Sequence, residues 1–223
     1  MGQLEIACFN LESALIAQKN GADRVELCAE MKLGGTTPSL KVIKEARKYL
    51  KIDLFVMIRP RGGNFIYSNE EFEVMKKQIL EIKKLNVNGF VFGILKDDNA
   101  INKAQNSELV ELAKPFSCTF HRAFDLVLNP SEALENIVEC GFQTVLTSGN
   151  ATNVNYGIDQ LEFLVKKANN KIKIMPGGGV RSSNIEMIKL KTKASFFHSS
   201  AVIDNSEIAN PYEIQKLKTI LNE

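Results

Sequence analysis

Asn20-Gly21-Ala22-Asp23-Arg24-Val25 sets a glycine between the end of one helical pattern and the start of an apolar run. A glycine at that point can take the left-handed conformation that closes a helix. The arrangement returns at Val87-Asn88-Gly89-Phe90-Val91 and at Cys140-Gly141-Phe142-Gln143-Thr144-Val145. Outward from these points, short apolar or β-branched runs fall at residues 4–9, 24–28, 54–59, 89–93, 117–121, 144–147, 172–175 and 195–198, each followed by a helical pattern. Apolar runs separated by helices argue for a parallel sheet with both faces covered. The unit length of roughly 20 to 35 residues is that of one strand–helix pair. Eight pairs in succession read as an α/β fold, a single (β/α)8 barrel of the TIM type over residues 1–223. An open doubly wound sheet is the runner-up; it would bind ligands where the strand order reverses, and the pattern shows no break of that kind.

Helix starts are marked by their caps. Asn129-Pro130 with Glu132, and Asn210-Pro211 with Glu213, each join an N-cap, a proline in the first turn and an acidic third residue. Thr37-Pro38 predicts a further start, and Ser68 with Glu71 and Ser183 with Glu186 read as capping boxes.

The balance of 28 basic and 26 acidic residues gives a net charge of only +2. That leaves no basic excess to hold a phosphate backbone, so a nucleic-acid partner is not expected. The longest apolar stretches, such as residues 90–95, fall far short of the ~18 residues of a membrane span, and no signal peptide is visible at the N-terminus. Cys8, Cys28, Cys118 and Cys140 are sparse and widely spaced, which suits reduced thiols in a cytosolic protein.

In a barrel of this type the active site gathers at the C-terminal ends of the strands. Thr119-Phe120-His121-Arg122-Ala123-Phe124-Asp125 crowds three ionisable groups onto such an end. The chain's two histidines, His121 and His198, both fall at strand ends, where they serve a site or fill space against backbone carbonyls. Glu26 lies between Val25 and Leu27 and is expected to face the polar mouth, with Arg59 as the available partner. Period-two alternation puts Cys28 on the face of Glu26, aligns Arg61 with Arg59, and turns Cys8 toward the helices. Gly177, Gly178 and Gly179 follow strand seven and form either an anion seat of backbone N–H groups or a tight turn. Ser199 from strand eight, Thr147 and Ser148 from strand six, and Arg59 with Arg61 are the further anion-binding candidates. The loop at 60–69 carries Phe65, Ile66 and Tyr67, and reads equally as a lid or as aromatic packing on a neighbouring helix or subunit.

Six blocks in order resemble the CutC copper-homeostasis proteins: Asn20 to Cys28, Gly34-Gly35-Thr36-Thr37-Pro38-Ser39, Ile58-Arg59-Pro60-Arg61-Gly62-Gly63, Thr119 to Asp125, Val145-Leu146-Thr147-Ser148-Gly149, and Pro176-Gly177-Gly178-Gly179-Val180. The resemblance implies a (β/α)8 barrel, a cytoplasmic and often homo-oligomeric protein, and an association with copper. It also implies a mouth-facing cysteine two residues after the first-strand Glu5, where this chain has Ala7; the second thiol of the pattern is present as Cys28. Two functions follow as expectations. The first is copper homeostasis, with copper, as Cu(I), held by Cys28. The second is an enzyme on a small anionic, even phosphorylated, substrate, with Glu26, His121 and His198 for acid–base work and the arginines, hydroxyls and glycines as anion binders.

Overall fold

A computed structural model describes residues 2–223. Eight parallel strands alternate with eight helices. The strands are β1 (Gln3–Cys8), β2 (Arg24–Leu27), β3 (Asp53–Met57), β4 (Gly89–Phe92), β5 (Ser117–Phe120), β6 (Thr144–Thr147), β7 (Lys173–Pro176) and β8 (Phe196–Ser199). Hydrogen-bonded ladders run in the order β7-β6-β5-β4-β3-β2-β1-β8, and β7 packs beside β8 to close the ring. This is the expected (β/α)8 barrel, with each strand within a residue or two of its expected ends.

Caps set several of the helices. Ser68 and Glu71 form a reciprocal capping box at the start of α3 (Asn69–Ile82), and Asn129 and Asn210 cap α5 (Pro130–Glu139) and α8 (Pro211–Asn222). Two expected starts shift. Helix α2 (Leu40–Tyr49) is capped by Ser39, because the Thr37 hydroxyl accepts from the Arg59 N–H instead. Helix α7 (Ile185–Thr192) begins after Asn184, and no capping box forms at Ser183. The neighbouring Ser182 is taken by Glu213 of α8 through both its N–H and its hydroxyl.

The strands bury both faces, and the two faces differ. Leu4, Ile6, Val25, Leu27, Leu54 and Val56 point outward and join the large core between strands and helices. Inward-facing side chains form two small apolar groups: Cys28, Phe55, Met57 and Val91 on one side, Leu146, Met175 and Phe196 on the other. Charged residues run between them. Gly89 is the close-approach position of the ring; a Cβ there would lie 2.3 Å from the Phe55 ring.

Candidate functional site

Deep in the barrel, Arg24 and Glu5 form a fully buried ion pair. The Arg24 guanidinium lies between two aromatic rings, 3.9 Å from the Phe55 centroid and 4.2 Å from that of Phe196. Such stacking is worth roughly 0.5–2 kcal/mol per ring, more when water is excluded. The register makes this possible: Glu5 pairs with Arg24 across β1–β2 and with His198 across β1–β8.

One layer up, His198 Nδ1 lies 2.7 Å from Glu5 Oε1. That contact places the proton on Nδ1 and turns Nε2 toward Glu26, whose Oε2 is 3.8 Å away. Burial would raise the Glu5 pKa, but Arg24 and the His198 hydrogen bond outweigh it and hold Glu5 at about 2. Glu26 has no such cation in contact. Burial raises it first, the His198 charge pulls it back, Glu5 pushes it up again, and it rests at about 7. Burial opposes charge on His198, but its bond to Glu5 and the field of Glu26 raise its pKa above the usual imidazole value. Two carboxylates in one cluster are thus driven apart, one permanently ionised and one poised near neutrality.

Above this layer lies a cavity of about 110 Å³. Glu26, Cys28, Arg59, His121, Arg122 and His198 line it, with Phe9, Met57, Phe65 and Leu146 as apolar walls. His121 Nδ1 accepts from the Ala123 N–H at 3.3 Å, so Nε2 carries the proton, and Nε2 has no partner. Burial first, then the charge of Arg59, lowers the His121 pKa to about 3, so the ring is a neutral donor at pH 7. Glu26 Oε1 and Arg59 Nε are likewise buried without partners. Phe65, from the loop after β3, stacks 4.7 Å from His121 and 4.8 Å from the Arg59 guanidinium.

The other expected site residues are placed elsewhere or already engaged. Arg59 does not pair with Glu26; it donates to the carbonyls of Leu33, Gly35 and Gly63 at 2.8 Å each. Arg61 lies outside the cavity lining, ion-paired with Glu71 and stacked on Tyr67. Thr147 and Ser148 give their hydroxyls to Asp125, which also pairs with Arg122 at 2.7 Å. Ser199 donates to the Val180 carbonyl at 2.8 Å and accepts from Arg181. Gly177 packs against Leu146 and His198, and Gly178, with φ at +83°, lies against the Arg122 guanidinium. The Gly179 carbonyl accepts from Asn184.

Cys28 is the cysteine that lines the cavity; Cys8, Cys118 and Cys140 join the core behind the strands. Burial, then the adjacent Glu26 carboxylate, push the Cys28 thiol well above its usual pKa. Sequence reasoning passed over Arg24, which reads as an ordinary charged residue at a strand start, and did not join it to Glu5. Among the described residues, Glu5, Glu26 and His198 are also the group spaced closely enough to share a metal ion. Arg24 already supplies the positive charge that Glu5 needs.

A family model described as the CutC family matches residues 2–203. A copper homeostasis protein cutC homolog from Homo sapiens is 42% identical over 198 residues, covering 89% of this chain and 72% of the human one. A family protein CutC from Parabacteroides distasonis is 46% identical over 199 residues, covering 89% of this chain and 82% of its own length. A CutC crystal structure from Streptococcus agalactiae has a TM-score of 0.86 at 36% identity, covering 90% of this chain and 99% of that one. Phosphoribosyl anthranilate isomerase from Thermotoga maritima shares the fold alone, with a TM-score of 0.69 at 14% identity over 100% of this chain and 99% of the isomerase. With that model and those identities running over nearly its whole length, the chain belongs to the CutC family.

Proposed function

We propose that the barrel mouth is the acid–base site of an enzyme acting on a small anionic substrate. One observation carries this reading: Glu26 Oε1, His121 Nε2 and Arg59 Nε, from three different strand ends, are buried without partners in residues that line one cavity. Buried polar groups normally find partners within the fold, so a set left open around a cavity is suited to a ligand. Glu26, near neutrality and facing His198, is the base. It takes a proton from a carbon beside a carbonyl, and the electron pair moves onto the carbonyl oxygen. Neutral His121 donates its Nε2–H to that oxygen. His198, 3.8 Å from Glu26, offsets the charge on its carboxylate, and Glu5 with Arg24 holds His198 in the required tautomer.

The test is solvent exchange. Small carbonyl and hydroxy acids, with and without phosphate, are incubated with the protein in D2O and followed by proton NMR. The expected result is deuterium incorporation at one carbon, slowed by about 10²- to 10⁴-fold in Glu26→Gln. Exchange that is equally fast in Glu26→Gln, or no exchange across the panel, contradicts the reading.

Copper binding is the second reading, favoured by the relatives' names and by Cys28 packing beside Met57 on the cavity wall. A thiol and a thioether are the soft donors that Cu(I) selects, and His198 would complete the set as the cargo's nitrogen ligand. Its cost is the Cys28 proton, which burial first and then the adjacent Glu26 make hard to remove. An anaerobic Cu(I) titration against a chelator decides it. Competition by the wild type that is lost in Cys28→Ser supports copper, and no competition by the wild type removes it. This reading carries with it a cytoplasmic, homo-oligomeric protein, which sedimentation and fractionation would check.

A further inference from the structure

The charges around the cavity do not all cancel. Arg24 is answered by Glu5, and Arg122 by Asp125. Glu26 and His198 face each other and balance, whether as carboxylate and imidazolium or as acid and neutral ring. Arg59 has no counterpart. It is 4% exposed, and no carboxylate lies within ion-pair distance of it among the described residues. Its hydrogen-bond partners are three carbonyls, the Tyr67 hydroxyl lies beside it, and Nε makes no hydrogen bond. A buried cation without an anion is costly, and the deficit here is one unit of charge.

Size and donor pattern narrow the ligand further. A cavity of about 150 Å³ holds one benzene, so 110 Å³ suits a molecule of about half a dozen non-hydrogen atoms. A guanidinium matches a carboxylate in shape as well as charge. The neutral His121 Nε2–H beside it suits an uncharged oxygen, not a second negative one. The hydroxyls that would have helped a phosphate, on Thr147, Ser148 and Ser199, are engaged with Asp125 and Val180.

We infer that the cavity takes a small monocarboxylate bearing an adjacent carbonyl or hydroxyl, with the carboxylate against Arg59 and the neighbouring oxygen on His121. This deepens the acid–base reading, because such a ligand turns its next carbon toward Glu26. The probe is pyruvate, set against pyruvamide, which is its neutral isostere, and against inorganic phosphate. Binding is followed by calorimetry and by the nitrogen-15 resonance of His121 Nε2.

The expected result is saturable pyruvate binding that moves the His121 resonance, with pyruvamide and phosphate weaker by about tenfold or more. His121→Leu should weaken pyruvate by about tenfold while leaving the melting temperature within a few degrees. Pyruvamide or phosphate binding as tightly as pyruvate overturns the inference, as does an unmoved His121 resonance or no pyruvate binding. The wild-type comparison needs no variant to fold and no turnover. Pyruvate binding without deuterium exchange would leave the ligand class standing and remove the acid–base reading alone.

Discussion

On the β1–β2–β8 side of the mouth, Arg24 answers Glu5, and His198 bridges Glu5 and Glu26. On the β3–β5 side, Arg59 is just as buried, yet its contacts are backbone carbonyls and the Phe65 ring, and His121 beside it is neutral. The first side balances its charges within the chain and leaves Glu26 Oε1 without a hydrogen bond. The second is complete in shape but not in charge. The difference separates structure from function: paired ions fix a tautomer and a fold, whereas an unanswered cation at a cavity is left for something that arrives.

The largest effect should come from breaking the balanced side. Arg24→Met leaves Glu5 ionised and buried without its cation, and should cost about 3–5 kcal/mol in urea unfolding. Arg59→Met should cost less, about 1–3 kcal/mol, because it strips donors from three carbonyls but strands no opposite charge. A loss at Arg59 as large as at Arg24 would mean that both sides are structural.

The pH dependence sharpens the same contrast. Folded Glu26 keeps its proton up to about 7, against 4.5 for an ordinary glutamate. Its protonation therefore favours the folded state, a contribution complete below the unfolded value and lost as pH rises through about 7. Glu26→Gln should flatten the fall in melting temperature between pH 4.5 and about pH 7. Glu5 runs the other way: held at about 2, it contributes stability above 4.5 that is lost as pH falls toward 2. The smallest effect is spectroscopic. His121 should stay neutral, with its proton on Nε2, well below the usual imidazole titration and down to about pH 3. An ordinary titration near 6.5 would put water around the ring and undo the contrast.

Much of this was legible in the chain, for physical reasons. Helix-closing glycines such as Gly21 and Gly141, and caps such as Asn129 and Ser68, are local signals, so the barrel could be read from them. Strand alternation is local too, and it carried Glu26 and Cys28 to the inner face, while His198 was marked by its place at a strand end. Parity failed where the strand ended. Arg61 shares its parity with Arg59, but β3 stops at Met57, and the loop turns Arg61 to Glu71. Arg24 was hidden because its partners Glu5, Phe55, Met175 and Phe196 come from four other strands. The hydroxyls of Thr147 and Ser148 looked available because Asp125, which takes them, lies on another element. The start of α2 is displaced because Arg59 takes the hydroxyl of Thr37 that the sequence offers as a cap, and at α7 Glu213 holds Ser182, the neighbour of the expected cap Ser183.

The most direct test of the acid–base reading is the titration of Glu26 itself, followed by the carbon-13 chemical shift of its carboxyl in the intact protein. The site described here gives a midpoint at about 7, with a matching inflection at His198, whose Nε2 lies 3.8 Å from the carboxylate. A midpoint at the ordinary value of 4.5, with no response at His198, would leave the mouth without a base and contradict the reading.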